Sequence, residues 1–164
     1  MKCEGGRVAD KIDRRLVELG ITLPVPGNPA GSYVPFVTVG ALVFMSGQTP
    51  RLDGKLAYTG KVGRDVTVDD GKAAARLCAL NLLSHLRVAC AGNLDRVVRC
   101  VRLTGFVNSD ADFTGQPQVV NGASDLIMQV FGECGKHART AVSAGALPAG
   151  ALVEVEGIFE IVPD

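Results

Sequence analysis

Arg139 opens a run of small and apolar residues that reaches Gly145, and a guanidinium stays charged at any working pH. Such a charge calls for an anion. Glu154 and Glu156 follow in the next apolar run, and the small neighbours of Arg139 leave space beside it. Two roles are open to this arginine. It is a surface cation paired with a nearby acid, or it is a fixed fork that grips a carboxylate through two parallel hydrogen bonds. The second role expects the two runs to form a hairpin that brings Glu154 opposite. His137, two residues earlier, is suited to acid–base work or to a plain loop position. The cysteines are Cys3, Cys78, Cys90, Cys100 and Cys134. Their odd number and the lack of a CxxC predict reduced thiols. Cys78, Cys90 and Cys100 fall in regular elements and read as small hydrophobes, which leaves Cys134, in a glycine-flanked loop, as the thiol to test. His85 and His137 are the only histidines. With no HxH, HExxH or Cys/His cluster, no zinc site is expected. GxSxG, GxGxxG and GxxxxGK[ST] are absent as well.

The elements that position these residues follow from periodicity. Val8, Ile12, Leu16 and Leu19 recur at helical spacing before Gly20 and predict an amphipathic helix. Three prolines and two glycines between Ile21 and Tyr33 then demand an extended connector. Phe36 to Gln48 is rich in β-formers around Gly40-Ala41, which predicts a tight hairpin. Asp53-Gly54 marks a second turn. Thr67-x-x-Asp70 reads as a capping box with Asp in place of Glu. It opens a long helix whose apolar stripe is read as Ala74, Leu77, Leu80, Leu83 or Ser84, and Val88, with His85 near the outer face. A strand is expected from Asp95 to Asn108 and a second long helix from Asp112 to Gly132. That helix buries Val119, Ala123, Ile127 and Val130, with Val120, Leu126 and Phe131 adjoining. Strands from Arg139 and from Ala151 to Val162 end the pattern, joined by a turn at Leu147 to Gly150.

Runs of strands alternating with long helices predict an α+β sandwich of two layers, with the helices on one face of one sheet. In the last strand Val153, Val155, Phe159 and Ile161 form the core face. The opposite face mixes Leu152 and Ile158 with Glu154, Glu156 and Glu160. Either this is a solvated surface with two incidental aliphatics, or it meets another subunit. Lys plus Arg and Asp plus Glu are both 17, a balance that gives no electrostatic footprint for nucleic acid or an anionic membrane. No apolar run is long enough for a membrane span. The charged first residues do not read as a secretory signal, so a cytoplasmic location is expected.

An ordered set of short motifs carries a family resemblance. It runs through Gly31-Ser32-Tyr33, Val43-Phe44-Met45-Ser46-Gly47-Gln48 and Asp53-Gly54-Lys55. Asn81-Leu82-Leu83, Ala91-Gly92, Asp95 to Val98, Asp112-Phe113 and Val120-Asn121 continue it. His137-Ala138-Arg139-Thr140-Ala141-Val142, Leu147-Pro148 and Val153-Glu154-Val155-Glu156 complete it. Together they resemble the YjgF-like, or reactive intermediate deaminase, family, also labelled endoribonuclease L-PSP-like. The resemblance spans about Tyr33 to Val162, and the helix before Gly20 is similar to a longer subgroup. It implies a single domain, with residues 1–30 forming a helix and connector and 31–164 the family core. The implied fold is chorismate-mutase-like, β-β-α-β-α-β-β, in homotrimers with sites at the subunit interfaces.

The implied activity is hydrolysis of enamines and imines of 2-amino acids to 2-keto acids and ammonia, without metal or organic cofactor. Arg139 matches the family's carboxylate-binding arginine, Glu154 the acid beside the attacking water, Tyr33 a pocket tyrosine and Asn121 a pocket asparagine. Ala141 stands where the family often has cysteine, Ser124 where it often has an aromatic residue, and Val34-Pro35 where it often has Ser-Gln. Two other roles stay open: a keto-acid-binding or regulatory protein using the same arginine, and the RNA-cleaving translation inhibitor of the family's older label.

Overall fold

The computed structural model describes residues 11–29 and 31–163; Cys3, Val8 and the charged first residues lie outside the described part. Helix α1 covers Lys11–Glu18 and buries Ile12 and Leu16. Its first two backbone N–H groups, on Lys11 and Ile12, donate to the Asp95 carboxylate at 2.9 and 2.8 Å. A distant acid thus satisfies donors that a helix start leaves open, and complements its positive end. Arg15 and Arg87 also hold the helix, Arg15 through the Gln129 carbonyl and Arg87 through an ion pair with Asp13. From Ile21 to Pro29 the chain forms neither helix nor strand.

Strands β1 (Phe36–Val39) and β2 (Leu42–Gln48) form the expected hairpin, with Gly40 at φ 60° in its turn. A two-residue pair, β3 (Arg51–Leu52) and β4 (Lys55–Leu56), closes around Asp53-Gly54, both at positive φ, as a type I′ hairpin requires. Helix α2 (Val68–Ala89) starts on the capping box: Thr67 accepts from the Asp70 N–H, and Asp70 accepts from the Thr67 N–H. Strand β5 (Val97–Asn108) begins later than Asp95 because Leu94–Arg96 make a 3-10 turn. Helix α3 (Gln116–Phe131) begins later than Asp112, with Pro117 in its first turn, where a missing N–H costs nothing. Strands β6 (Ala138–Ala144) and β7 (Val153–Ile161) follow.

The main sheet has the order β1-β2-β7-β5-β6, and both long helices cover one face of it. This is the α+β two-layer architecture, with the N-terminal helix added beside α3. One expected contact is overturned. β6 and β7 do not form a hairpin: β5 lies between them, parallel to β6 and antiparallel to β7. Helix α3 provides the crossover that a parallel pair needs. β7, apolar on its core face throughout, takes the central place with partners on both edges.

The stripe of α2 is also shifted. Ala74, Leu83 and Ser84 are buried as read, but the buried set also takes in Gly71, Ala75, Cys78, Ala79, Leu82, His85 and Leu86, while Leu77 and Leu80 are only partly buried and Val88 is exposed. Small residues dominate because α2 meets both the sheet and α3. At Gly122 an added Cβ would overlap the Lys72 backbone, so the two helices pass at backbone contact. The stripe of α3 is as read from its spacing. Leu152, expected to be covered only in an assembly, is fully buried within the single chain. Its N–H donates to the Tyr58 carbonyl and its own carbonyl accepts from the Asn108 N–H.

Candidate functional site

Arg139 is the second residue of β6, at an edge of the sheet. Its register partner on β5 is Leu103, which pairs in turn with Gly157. That row faces the helices, and the guanidinium meets α3. Its Nη1 donates to Asn121 Oδ1 at 2.7 Å and to Ser124 Oγ at 3.1 Å. The two acceptors lie three residues apart, on one face of the helix. Arg139 forms no ion pair among the described residues. Its charge is aimed by neutral oxygens and stays available to an anion.

Ser124 continues the chain of contacts. His137 Nδ1 lies 2.6 Å from the Gly135 carbonyl, which can only accept, so this nitrogen carries the proton. In a neutral ring Nε2 is then an acceptor, 3.0 Å from Ser124 Oγ. Burial, and also the nearby Arg139 charge, hold the His137 pKa below its ordinary value, against the opposing pull of the Gly135 carbonyl. The Ser124 hydroxyl therefore donates to His137 and accepts from Arg139. The serine at the aromatic position of the resembled family thus acts as a tether for the arginine. One neutral hydrogen bond contributes about 0.5–1.5 kcal/mol. Ser124→Ala is expected to raise the KM for an anionic substrate by about 2- to 12-fold with kcat less affected, as steady-state kinetics would show.

Glu154 stands elsewhere. It lies on β7 between buried Val153 and Val155 and so faces the opposite side of the sheet, paired with Phe106 of β5. Two strand spacings, roughly 10 Å, separate β6 from β7. The carboxyl is half-buried, and desolvation, then the charge of Glu156, raise its pKa above the ordinary value. It packs on Gly47 of β2, where an added Cβ would overlap the carboxylate. A register irregularity of β2 falls between Met45 and Gln48, beside this contact. A cleft of about 490 Å³ opens over Glu154, and Tyr33, more than half exposed, lies on its wall with Gln48 and Arg51.

The four residues singled out in the sequence thus fall into two pairs, Arg139 with Asn121 and Glu154 with Tyr33, and one chain does not bring the pairs together. Sequence reasoning missed the Ser124–His137 tether and placed His85 on an outer face. His85 is 5% exposed and lines the cleft; its spacing of four from Asn81 was the available signal.

The thiols offer little chemistry. Cys78, Cys90 and Cys100 are buried and in no disulfide. Burial pushes the Cys78 pKa well up and that of Cys100 to about 12. Cys134 is disulfide-bonded, which corrects the expectation of a free thiol in its loop. Among the described residues no group of three or more His, Cys, Asp and Glu could hold a metal ion, and no helix is long and apolar enough to cross a membrane.

Comparison with known proteins extends these observations. Residues 13–161 match the family described as "YjgF/chorismate_mutase-like, putative endoribonuclease". Protein TCP17 of Trypanosoma cruzi is 49% identical over 157 residues, 95% of each chain. The structure of Atu1372 from Agrobacterium tumefaciens, 49% identical, superposes with a TM-score of 0.86 over 92% of each chain. A Shewanella oneidensis structure, 39% identical, gives 0.88 over 92% of this chain and 99% of its own. With nearly the whole chain matched in sequence and in fold, this protein belongs to the YjgF/chorismate-mutase-like family.

Proposed function

We propose that the protein is a hydrolytic deaminase of enamine and imine intermediates of 2-amino acids, releasing 2-keto acids and ammonia. The observation that carries this reading is Arg139: an arginine held by two neutral oxygens, with no acid of its own among the described residues, at the edge of the sheet. Such a fork suits the carboxylate of an imino acid. Glu154 supplies the second half. In its ionised form it takes a proton from water as the oxygen adds to the imine carbon. It returns that proton to nitrogen to give a carbinolamine, then carries the proton of the new hydroxyl to nitrogen as the carbonyl forms; the carbon–nitrogen bond breaks, and ammonia leaves a 2-keto acid. An enamine enters after protonation at carbon. The substrate is already electrophilic, so positioning and one base suffice, a contribution of about 10²–10⁴-fold from the base.

The two halves lie on opposite faces, separated by β5, so one small substrate does not bridge them within a chain. A cyclic homotrimer with sites between subunits resolves this, Arg139 and Asn121 coming from one copy and Glu154 and Tyr33 from the next. The open sheet face supports such an assembly. Val37 and Phe44 are exposed on it in one row with Ile158 of the central strand, and Val142 is exposed beside Phe106 two rows away; exposed apolar surface of this kind marks interfaces.

Complementation tests function and assembly together. Arg139→Ala and Glu154→Gln are each expected to be nearly inactive alone. Unfolded and refolded as a mixture, they should recover activity, because about a quarter of randomly formed head-to-tail interfaces join two intact halves. The assay is ammonia release from 2-aminoacrylate or 2-iminobutyrate generated in situ. No hydrolysis by the wild type counts against the deaminase, and binding of keto acids without turnover would favour a metabolite-binding role instead. Activity that never recovers in the mixture counts against the shared site.

A further inference from the structure

We propose that the cleft beside Glu154 is a subsite for the substrate's side chain, in which Asn81 and His85 select a carboxamide end. This rests on the deaminase reading above and names its substrate class.

The cleft, about 490 Å³, falls within the range of about 300–1,000 Å³ of pockets that enclose whole ligands. It exceeds what a three- or four-carbon imino acid needs. Its inner wall is α2. There His85 is 95% buried by its 5% exposure, yet makes no hydrogen bond among the described residues. Buried polar groups are normally paired. Among the described residues only Arg87 Nε is a fully enclosed side-chain nitrogen or oxygen without a partner, so the imidazole nitrogens of His85 retain access to the cleft they line. Burial keeps this ring below its ordinary pKa, and it is neutral at pH 7, with one N–H to donate.

One turn earlier on the same face lies Asn81. Its Nδ2 donates to the Thr49 and Arg51 carbonyls at 3.2 and 2.9 Å. Carbonyls only accept, which fixes the orientation of the amide. Oδ1 is therefore the group left over, an acceptor with no partner among the described residues. A donor and an acceptor about 5–6 Å apart at their Cβ atoms face one cleft. A carboxamide matches both, its oxygen receiving the His85 N–H and its NH₂ donating to Asn81 Oδ1. A carboxylate offers no donor to Asn81 and would enter beside Glu154 and Asp53, which also line the cleft. Arg51 lines it too, but is exposed and donates to the Gly54 carbonyl, where solvent screens its charge. An alkyl end would leave both polar groups unpaired, which sites built for hydrogen bonding reject strongly.

The test uses imines made in situ by an amino-acid oxidase from asparagine and from leucine, whose side chains have nearly the same shape. Two hydrogen bonds predict a kcat/KM about 30-fold higher for the asparagine imine. In His85→Leu the ratio should collapse toward one, and His85→Gln, which restores a donor, should recover it. Binding of 2-oxosuccinamate and 4-methyl-2-oxopentanoate is measured in parallel by calorimetry, so that the wild type alone decides should a variant fail to fold. Tighter binding of 2-oxosuccinamate without turnover of either imine keeps the subsite and overturns the deaminase. Turnover with equal preference, or a polar preference that survives in His85→Leu, overturns the subsite and leaves the deaminase standing. Binding of neither keto acid overturns the subsite.

Discussion

Arg139→Ala is expected to lower kcat/KM for imine hydrolysis about 30- to 4,000-fold, the equivalent of the roughly 2–5 kcal/mol lost when one partner of a desolvated charge pair is removed. The carboxylate of the substrate would then enter the site with no counter-charge. Arg139→Lys should also be poor, because an ammonium keeps the charge but loses the planar fork that Asn121 and Ser124 orient. Stability should move little. Arg139 is exposed on an edge strand, and its protein contacts are two hydrogen bonds to neutral groups, each worth about 0.5–1.5 kcal/mol. Steady-state kinetics and thermal unfolding on the same preparations separate the outcomes. A folded variant with wild-type turnover sinks the carboxylate clamp. A variant that unfolds or loses its assembly shows that Arg139 is structural.

Glu154→Gln is the second large effect, about 10²–10⁴-fold in kcat, because an amide cannot take the proton from the attacking water. The wild-type pH profile should carry the same signature. In the proposed reaction Glu154 works as the carboxylate, and burial, then repulsion from Glu156, hold its pKa above the ordinary value. As pH falls through that raised value the carboxylate takes up a proton and the rate drops, so the acid limb should lie above 4.5. In Glu154→Gln this limb should vanish along with most of the rate. A variant that retains the limb would assign it to another group. Gly47→Ala, which crowds the carboxylate without touching its charge, should reproduce part of the loss in kcat.

How much of this was legible in the sequence depended on whether the rule involved was local. The capping box at Thr67, the Asp53-Gly54 turn, the hairpin at Gly40 and the stripe of α3 rest on neighbours within a few residues, and all stand in the structure. Strand order does not follow such rules. Two β-runs joined by a short turn read as a hairpin, yet β6 pairs with β5 through the α3 crossover and leaves β7 to the centre. The stripe of α2 was misread because its tight face is built from Ala74, Ala75, Cys78 and Ala79. A search for large apolar residues picks Leu77, Leu80 and Val88 instead, and the same shift of phase put His85 on the wrong side. The arginine and its asparagine were visible through motif resemblance. The role of Ser124 was not, since it depends on the loop that returns His137 to α3.

The central position of β7 also constrains the order in which the molecule can be made. β7 is synthesised after both strands that it joins, β2 and β5. During translation the earlier hairpin and the β5–α3–β6 unit can each become compact, but the facing edges of β2 and β5 stay unpaired until β7 has left the ribosome. Open edges are templates for other chains, and late, long-range pairing is slow. A nascent chain stalled before Val153 would expose two sticky edges at once and would be a natural client for a holding chaperone. Its lifetime on the ribosome, rather than the stability of the finished fold, would then limit the yield of native protein.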